Sequence, residues 1–421
     1  MFSAAAQQVR RTGNWLIQPQ ALRQLILGEI DCLTPRRLAL TEVIGLVLAA
    51  PIVAGSNLPR FPNSAMDGFA LLASDTAEPP AVLRIVGSSL PGAPCDLPVA
   101  AGEAVAIATG AMLPGGSDAV VPIELVDVTG LQLTMAFKAA PGMHVRLEGE
   151  DVTEDQVVIE CGTEIGPGQL VAAAALGIDE VVVHPRPRVA ILPTGDEVRT
   201  AGSRLGPGEI YDAVSVALGA LVAEVGGKAT MLPAAPDDSA TLIRMLHEAT
   251  LGADAIITVG GVSAGERDFI RGPEAPVRVW PYEVALRPAR PFGFGTAFDK
   301  PLFALPGNPA SALAAFEEFV RPALRCMMDK SPAPWPMLTA VLTEPLEHES
   351  GFTHLVRVQV WREGARLFAR SSGRQGAGMV HSLAKANAWA VIPADVSELA
   401  AGSEVCVRML GEPWMVAPPN P

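Results

Sequence analysis

A multidomain chain of α/β and β parts is predicted by three features of this 421-residue sequence. From about residue 185 to 330, β-branched runs alternate with helical patterns, the signature of βαβ units on a mostly parallel sheet. Residues 81–147 carry only short alternating runs separated by Pro-Gly and Gly-Gly turns, which predicts an all-β segment. After Pro332, Pro334 and Pro336, residues 337–415 again read as short strands and predict a small C-terminal β domain.

Along the chain, residues from about 15 to 50 show helical spacing: Ala21, Leu25 and Ile26, then Leu38, Leu40, Val43 and Val47. Pro35 interrupts the pattern and suits the first turn of a second helix. "LAAPIVAGSNLPRFPNSAMDGFAL" is extended, because Pro51, Pro59 and Pro62 exclude helix. "GPGQLVAAAALGID" returns to helix, so the helices on either side of the β segment are expected to pack together. The expected division is a discontinuous helical linker domain at 1–50 with 148–184, and an inserted β domain at 51–147. An α/β domain at 185–330 and the C-terminal β domain at 331–421 follow. In the α/β part, "RVAILPTGDEV", "KATMLPAAPDD", "ADAIITVGG" and "PLFALPGNP" are strands running into loops. "DAVSVALGALVAEVGG", "SATLIRMLHEATLG" and the stretch after "PGNP" are helices.

Hydrophobic residues make up 49% and charged residues 18%, which favours a globular chain over disorder. A net charge of −14 argues against nucleic-acid binding, which needs a basic face. The five cysteines form no CxxC pair, and the six histidines no HExxH. "MFSAAAQQVRRTGNW" lacks the apolar core of a signal peptide, and no run reaches the roughly 18 apolar residues of a membrane span. The expectation is a cytoplasmic protein with reduced thiols and no membrane partner.

In open α/β sheets, ligands gather at the carboxyl ends of strands. Three strand ends here carry unusual loops: "PTGDE" (Pro193–Glu197), "GGVSAGERD" (Gly260–Asp268) and "LPGNPAS" (Leu305–Ser311). One such loop reads as a turn; three on one sheet point to phosphate or another oxyanion received by backbone N–H groups. None matches GxxxxGK(S/T), or GxGxxG with an acid about 20 residues on, which disfavours a Walker ATPase and a Rossmann dehydrogenase. Asp196, Glu197, Asp212, Asp237, Asp238 and Asp268 gather in the same region. Carboxylates converging on phosphate are the usual means of holding Mg²⁺. For Asp237 and Asp238, capping the helix "SATLIRML" is an equal reading. Arg287 and Arg290, in "LRPARP", have forks that suit tetrahedral oxyanions, and they equally fit a solvated loop. Ser64 and Asp67 stand in a proline-bounded turn, and nothing in the spacing sends Asp67 to the α/β site.

"PRFPNSAMDGFAL" resembles a motif of the molybdopterin molybdenumtransferases, the family of MoeA and the gephyrin E-domain. The likeness continues in family order through "ATGAMLPGGSDAVVPIE", "EGEDV", "PTGDEV", "GEIYDA", "GGVSAGERDF" and "LPGNPASAL", covering essentially the whole chain. It implies a four-part L-shaped subunit with a MogA-like molybdopterin-binding α/β domain and a β-barrel-like C-terminal domain. It also implies a homodimer, formed through the linker domain, whose active sites lie between subunits, so that Asp67 reaches the partner's α/β pocket. The implied reaction inserts molybdate into adenylylated molybdopterin, with Mg²⁺-dependent cleavage of the phosphoanhydride and release of AMP. On that resemblance Asp67, Asp151, Glu197, Asp237 and Asp268 are catalytic, and Asp196, Asp237 and Asp268 hold Mg²⁺. The pterin nucleotide is assigned to Ser64, Thr109, Thr194, Gly195, Asp212, Gly260, Gly261, Ser263, Pro306, Gly307 and Asn308. Molybdate is assigned to Arg287, Arg290, Ser311 and Arg357. The implied protein partners are the molybdopterin adenylyltransferase and molybdoenzyme chaperones.

Three departures from the family pattern stand out. "RPARP" replaces a lysine-bearing segment, with Ala289 in a glycine's place; "RQGAG" puts Ala377 where the family has serine; "YDAV" puts Val214 where it has asparagine. Arginine does not copy the compact charge of lysine. Loss of one hydroxyl to a charged oxyanion costs about 1.5–3 kcal/mol of binding. These departures motivate the alternative of a divergent paralogue that carries pterin or nucleotide without turnover. The retained acids argue for turnover; a third reading is the same enzyme using tungstate, which the sequence does not separate from molybdate.

Overall fold

The computed structural model describes residues 16–260, 276–332 and 337–416. The chain divides into two units: Met1–Arg36, Gly45–Val47 and His184–Pro421 form one, and Arg37–Ile44 with Leu48–Val183 the other. Among the described residues no helix is long and apolar enough to cross a membrane.

In the first unit a seven-stranded, mostly parallel sheet runs in the order Leu16–Ile17, Val277–Val284, Pro291–Ala297, Lys300–Leu305, Ala255–Val259, Arg188–Pro193, Lys228–Met231. Ala255–Val259 is paired in parallel on both sides and buried throughout, which is why it reads as an unbroken apolar run. The strand period of two sorts side chains to two faces. Val189, Ile191, Ile257 and Phe303 join a core with Leu22, Leu218 and Phe319; Ala190, Leu192, Ile256 and Leu302 join another with Leu242 and Leu246. Helices therefore cover both faces, giving three layers. The helix Ser239–Thr250 is capped by Asp238, whose carboxylate accepts the Thr241 N–H at 2.8 Å.

Two expectations need correction. The first helix, Pro19–Leu27, belongs to this unit, where Leu22 and Ile26 are buried in the sheet's core, while Leu48–Val183 belongs to the other. Leu16–Ile17, just before it, adds a strand parallel to Val277–Val284. Apolar residues four apart give that helix a stripe, and the open face of the sheet takes it up. No helix follows Pro35 either; Arg36–Ala39 is a strand paired with Glu180–Val183. Leu40–Glu42 then makes a single 3-10 turn, so the apolar spacing at Leu38, Leu40 and Val43 marks a short strand and a turn in place of a helix.

Also in the first unit, the strands Thr353–Glu363, Arg366–Ser371, Met337–Leu342, Glu404–Met409 and Ala388–Ile392 form a closed five-stranded barrel. Val358, Val360, Ala390 and Val407 fill it. Closure leaves no strand edge among these five. Leu286–Arg287 pairs in parallel with Thr353–His354 and so ties the α/β part to the barrel.

The second unit is built on a curled six-stranded sheet spanning Gly68–Leu71 to Gln132–Met135, antiparallel except for one pair. Phe69, Leu71, Leu83, Val121 and Leu133 form one core, while Ala70, Ile107 and Val120 face the other way. The helix Pro167–Ala175 belongs to this unit.

Candidate functional site

Three neighbouring parallel strands, Arg188–Pro193, Ala255–Val259 and Lys300–Leu305, end side by side. Thr194 prolongs the ladder: its N–H and hydroxyl donate to the Val259 carbonyl at 2.9 and 3.1 Å. The Gly260 N–H donates to the Leu305 carbonyl at 2.9 Å. Gly260 has φ +95°, and a Cβ there would lie 2.9 Å from Thr194 Oγ1, so the position requires glycine. A Cβ on Gly307 would meet the Gly260 Cα at 3.8 Å. Thr194, Gly260 and Gly307 thus form one floor, with Pro306 and Asn308 at its rim. Asn308 stands before the helix Pro309–Ala315 without capping it, and Ser311 is buried in the first turn. Gly261, Ser263 and Asp268 lie outside the described residues.

A cavity of about 370 Å³ opens at the ends of Arg188–Pro193 and Lys228–Met231, lined by Gly195, Asp196, Arg199, Asp212 and Pro236 among others. Asp196 Oδ1 accepts the Asp237 N–H at 3.1 Å, which brings two of the expected metal-binding acids together. The Glu197 carboxylate folds back over Gly195. Asp212 accepts the N–H groups of Val214 and Ser215 at 3.1 and 2.9 Å, so it caps a helix as well as lining the cavity. Arg199 pairs with Glu209 at 2.5 Å. Among the described residues, no three His, Cys, Asp or Glu side chains are placed to hold a metal ion by themselves.

The expected oxyanion arginines differ in their surroundings. Arg287 pairs with Glu349 at 2.5 Å and Arg290 with Glu283 at 2.8 Å, and both lie over the Phe352 ring. Each therefore already has a carboxylate. Ala289, between them, is buried with φ +97°. Nearby, the His354 ring lies tilted against His348, with ring centroids 4.4 Å apart. Burial first, then the charges of His348 and Arg287, push its pKa down to about 4.

Among the described residues no carboxylate pairs with Arg357. It is 1% exposed and leaves its barrel strand on the side of Leu355, which belongs to the α/β core, while Val356 and Val358 point into the barrel. Its Nη2 donates to the carbonyls of Arg374 and Gly376, both at 3.1 Å. Its Nε and Nη1 are buried without partners among the described residues. Burial alone lowers its pKa; no carboxylate holds it up. The 374–377 strip also touches the third loop, because the Ala310 N–H donates to the Ala377 carbonyl at 3.0 Å. A buried guanidinium with idle donors and no counter-charge costs several kcal/mol, so it is poised to receive an anion. Sequence reasoning named Arg357 but missed the carbonyls that hold it. An arginine among the outward positions of the alternating "HLVRVQV" was the available signal.

In the second unit Ser64, Asp67 and Thr109 come together. Asp67 Oδ1 accepts the Thr109 N–H at 2.7 Å and its hydroxyl at 2.8 Å. The Thr109 N–H first, then the hydroxyl, hold the exposed Asp67 carboxyl below its ordinary pKa. Ser64 Oγ donates to the Met66 carbonyl at 2.5 Å, and the Gly110 N–H donates to the Ser64 carbonyl at 2.8 Å. A Cβ on Gly68 would lie 2.0 Å from the Val121 carbonyl oxygen, so the strand after the motif requires glycine. Asp151 is exposed in the same unit, its N–H donating to the Leu58 carbonyl at 3.0 Å.

Comparison with known proteins gives consistent matches along the chain. Residues 17–177 match the MoeA N-terminal region (domains I and II), and residues 190–326 a probable molybdopterin binding domain. Residues 339–410 match the MoeA C-terminal region (domain IV). Molybdopterin molybdenumtransferase 2 of Mycobacterium tuberculosis is 37% identical over 390 residues, 89% of this chain and 94% of that protein. The molybdopterin molybdenumtransferase of Haemophilus influenzae is 32% identical over 379 residues, 88% of this chain and 93% of that one. A crystal structure of a molybdopterin biosynthesis MoeA protein from Pyrococcus horikoshii matches with a TM-score of 0.80 at 28% identity, covering 94% of this chain and all of that one.

Proposed function

The chain belongs to the MoeA family of molybdopterin molybdenumtransferases, and from that premise we propose how its residues divide the reaction. The activity is that of a molybdopterin molybdenumtransferase, the final step of molybdenum cofactor biosynthesis. Molybdate is received at Arg357. The observation that carries this assignment is the buried guanidinium whose Nε and Nη1 have no partner. A tetrahedral oxyanion supplies both the missing acceptors and the missing charge. Ser311 stands in the same helix turn as Ala310, which meets the 374–377 strip; Arg287 and Arg290 contribute after release from Glu349 and Glu283.

Adenylylated molybdopterin lies over the floor of Thr194, Gly195, Gly260, Pro306, Gly307 and Asn308. Asp196 and Asp237 present hard carboxylate oxygens from two adjoining loops, a donor set that fits Mg²⁺ completed by water and phosphate oxygens. When bound there, Mg²⁺ would supply charge neutralisation to the phosphoanhydride. Asp67, kept ionised by Thr109, and Asp151 are supplied by a second copy in a homodimer and complete the acid set with Glu197 of the α/β loop.

The decisive experiment is cofactor release from adenylylated molybdopterin with Mg²⁺ and varied molybdate. Arg357→Gln should raise the molybdate concentration for half-maximal release by about ten-fold or more, the effect of one lost charged hydrogen bond. Affinity for the pterin nucleotide should hardly change. An unchanged molybdate dependence in a folded variant would reject the assignment. The paired state of Arg287 and Arg290 favours a second reading, a carrier that binds the pterin nucleotide without turnover. That reading requires binding with no cofactor released at any molybdate or tungstate concentration.

A further inference from the structure

Arg357 has a neighbour with another idle donor. Trp389, on the barrel strand Ala388–Ile392, is its direct cross-strand partner. Residues opposed in this way leave the same face with Cβ atoms about 4.5–5.5 Å apart. Trp389 is fully buried in the α/β core with Leu355, whereas Ala388 and Ala390 belong to the barrel interior. Its Nε1, like Arg357 Nε and Nη1, is buried with no hydrogen-bond partner. A buried indole N–H ordinarily finds an acceptor. Each donor left idle costs about 1–3 kcal/mol, so three on one cross-strand pair call for one acceptor-rich group.

We propose that Trp389 Nε1–H joins Arg357 Nε and Nη1 as a face of the site made of donors only, and that this face makes the site favour tetrahedral oxyanions carrying no proton. The proposal rests on the reading of Arg357 as the molybdate site. An indole N–H and a guanidinium donate and never accept. Molybdate, tungstate and sulfate are free of O–H groups near neutral pH, and all four of their oxygens accept. Phosphate keeps at least one O–H, which needs an acceptor. The carbonyls of Arg374 and Gly376 already accept from Arg357 Nη2, and each keeps one lone pair. Phosphate must therefore turn its O–H away from these three donors, toward a carbonyl already shared with the guanidinium or toward Ser311, while molybdate can turn any of its oxygens to them.

The test uses the full-length protein, calorimetric titration with molybdate, sulfate and phosphate, and the indole ¹⁵N–¹H resonances of its six tryptophans. The expected result is one indole resonance shifted by molybdate and by sulfate, with phosphate bound at least about ten-fold more weakly. Trp389→Phe should remove that resonance, weaken molybdate about ten-fold and narrow the margin over phosphate. Trp389→His, which keeps a ring N–H, should recover part of both. If Arg357→Gln weakens molybdate while Trp389→Phe changes neither affinity nor selectivity, the role of Trp389 is refuted and the Arg357 site stands. If neither variant affects molybdate, both readings fall. Phosphate binding as tightly as sulfate to the wild-type chain overturns the selectivity. Should Trp389→Phe not fold, the wild-type spectrum decides: no indole resonance moving at saturating molybdate overturns the proposal.

Discussion

Asp67 takes both hydrogen bonds from Thr109, backbone and hydroxyl, on a single carboxylate oxygen. Both favour the ionised form, so the folded chain holds fewer protons at Asp67 than the unfolded chain does at the same pH. Their stabilising effect is present at neutral pH and is lost as pH falls through the lowered pKa. Thr109→Val removes the hydroxyl and keeps the shape and the N–H. The Asp67 carboxyl should then titrate at a higher pH than in the wild type, yet still below the ordinary aspartate value. Carboxyl ¹³C NMR titration reads this directly; an unmoved titration would show that the hydroxyl bond does not form in solution.

Ala289 holds φ +97° while 2% exposed. A non-glycine residue in sparsely populated backbone space stores on the order of 1–3 kcal/mol. Ala289→Gly should therefore stabilise the chain by about 1 kcal/mol, less than the full strain because glycine adds freedom to the unfolded state. Urea denaturation with an unchanged slope is the measure, and a destabilised variant would place φ elsewhere.

Glu318 is 3% exposed and accepts from two cations: Arg23 of the first helix, and Arg408 of the barrel at 2.5 Å. Glu318→Gln leaves both arginines without their counter-charge, and breaking a buried pair costs about 3–5 kcal/mol. The exposed pair Arg84–Glu103 is the contrast, since Arg84 is 69% exposed and such pairs contribute about 0–1 kcal/mol. Equal losses from Glu318→Gln and Glu103→Gln in parallel denaturation curves would contradict this ranking.

Much of this architecture was legible in the sequence. "AIITV" is buried on both faces and shows it by lacking polar alternation, and "LPGNP" marks a strand end by its glycine and prolines. Where the first helix packs was not legible, because an apolar stripe states that a helix buries one face and not which core receives it. Asp238 shows the same limit at the site: as the residue before "SATLIRML" its capping was readable, and it caps. The difference between Arg357 and the pair Arg287 and Arg290 was hidden. Arg287 and Arg357 lie in strands and Arg290 just before one, and only the fold shows that Arg357 is the one with no carboxylate among the described residues.

His354 should shape the acid side of the stability curve. Its folded pKa of about 4 lies below the ordinary histidine value, with burial as the main cause and His348 and Arg287 adding positive charge; Glu349 acts in the opposite sense. The folded state therefore binds the proton less readily than the unfolded state. Stability from this group is intact above the unfolded pKa and declines as pH falls toward about 4. His354→Gln should flatten the loss of stability across that acid window and leave the neutral-pH slope unchanged. Denaturation midpoints taken through the window decide, and a steepness equal to the wild type would remove His354 from the account.

The last prediction concerns where the two halves of the site come from. Asp67 belongs to one unit of the chain and Arg357 to the other. In the proposed homodimer each working site joins Asp67 of one copy to Arg357 of its partner. Asp67→Asn and Arg357→Gln chains should each release little cofactor alone at limiting molybdate. Mixing them under conditions that exchange subunits yields mixed dimers in which one site has both native residues and the other has neither. With equal amounts and random pairing, half the dimers are mixed, so about a quarter of all sites regain activity. If each site instead drew both residues from one copy, every site in the mixture would carry one defect and no activity would return. The two arrangements thus differ in whether any activity returns, and the amount recovered checks the pairing.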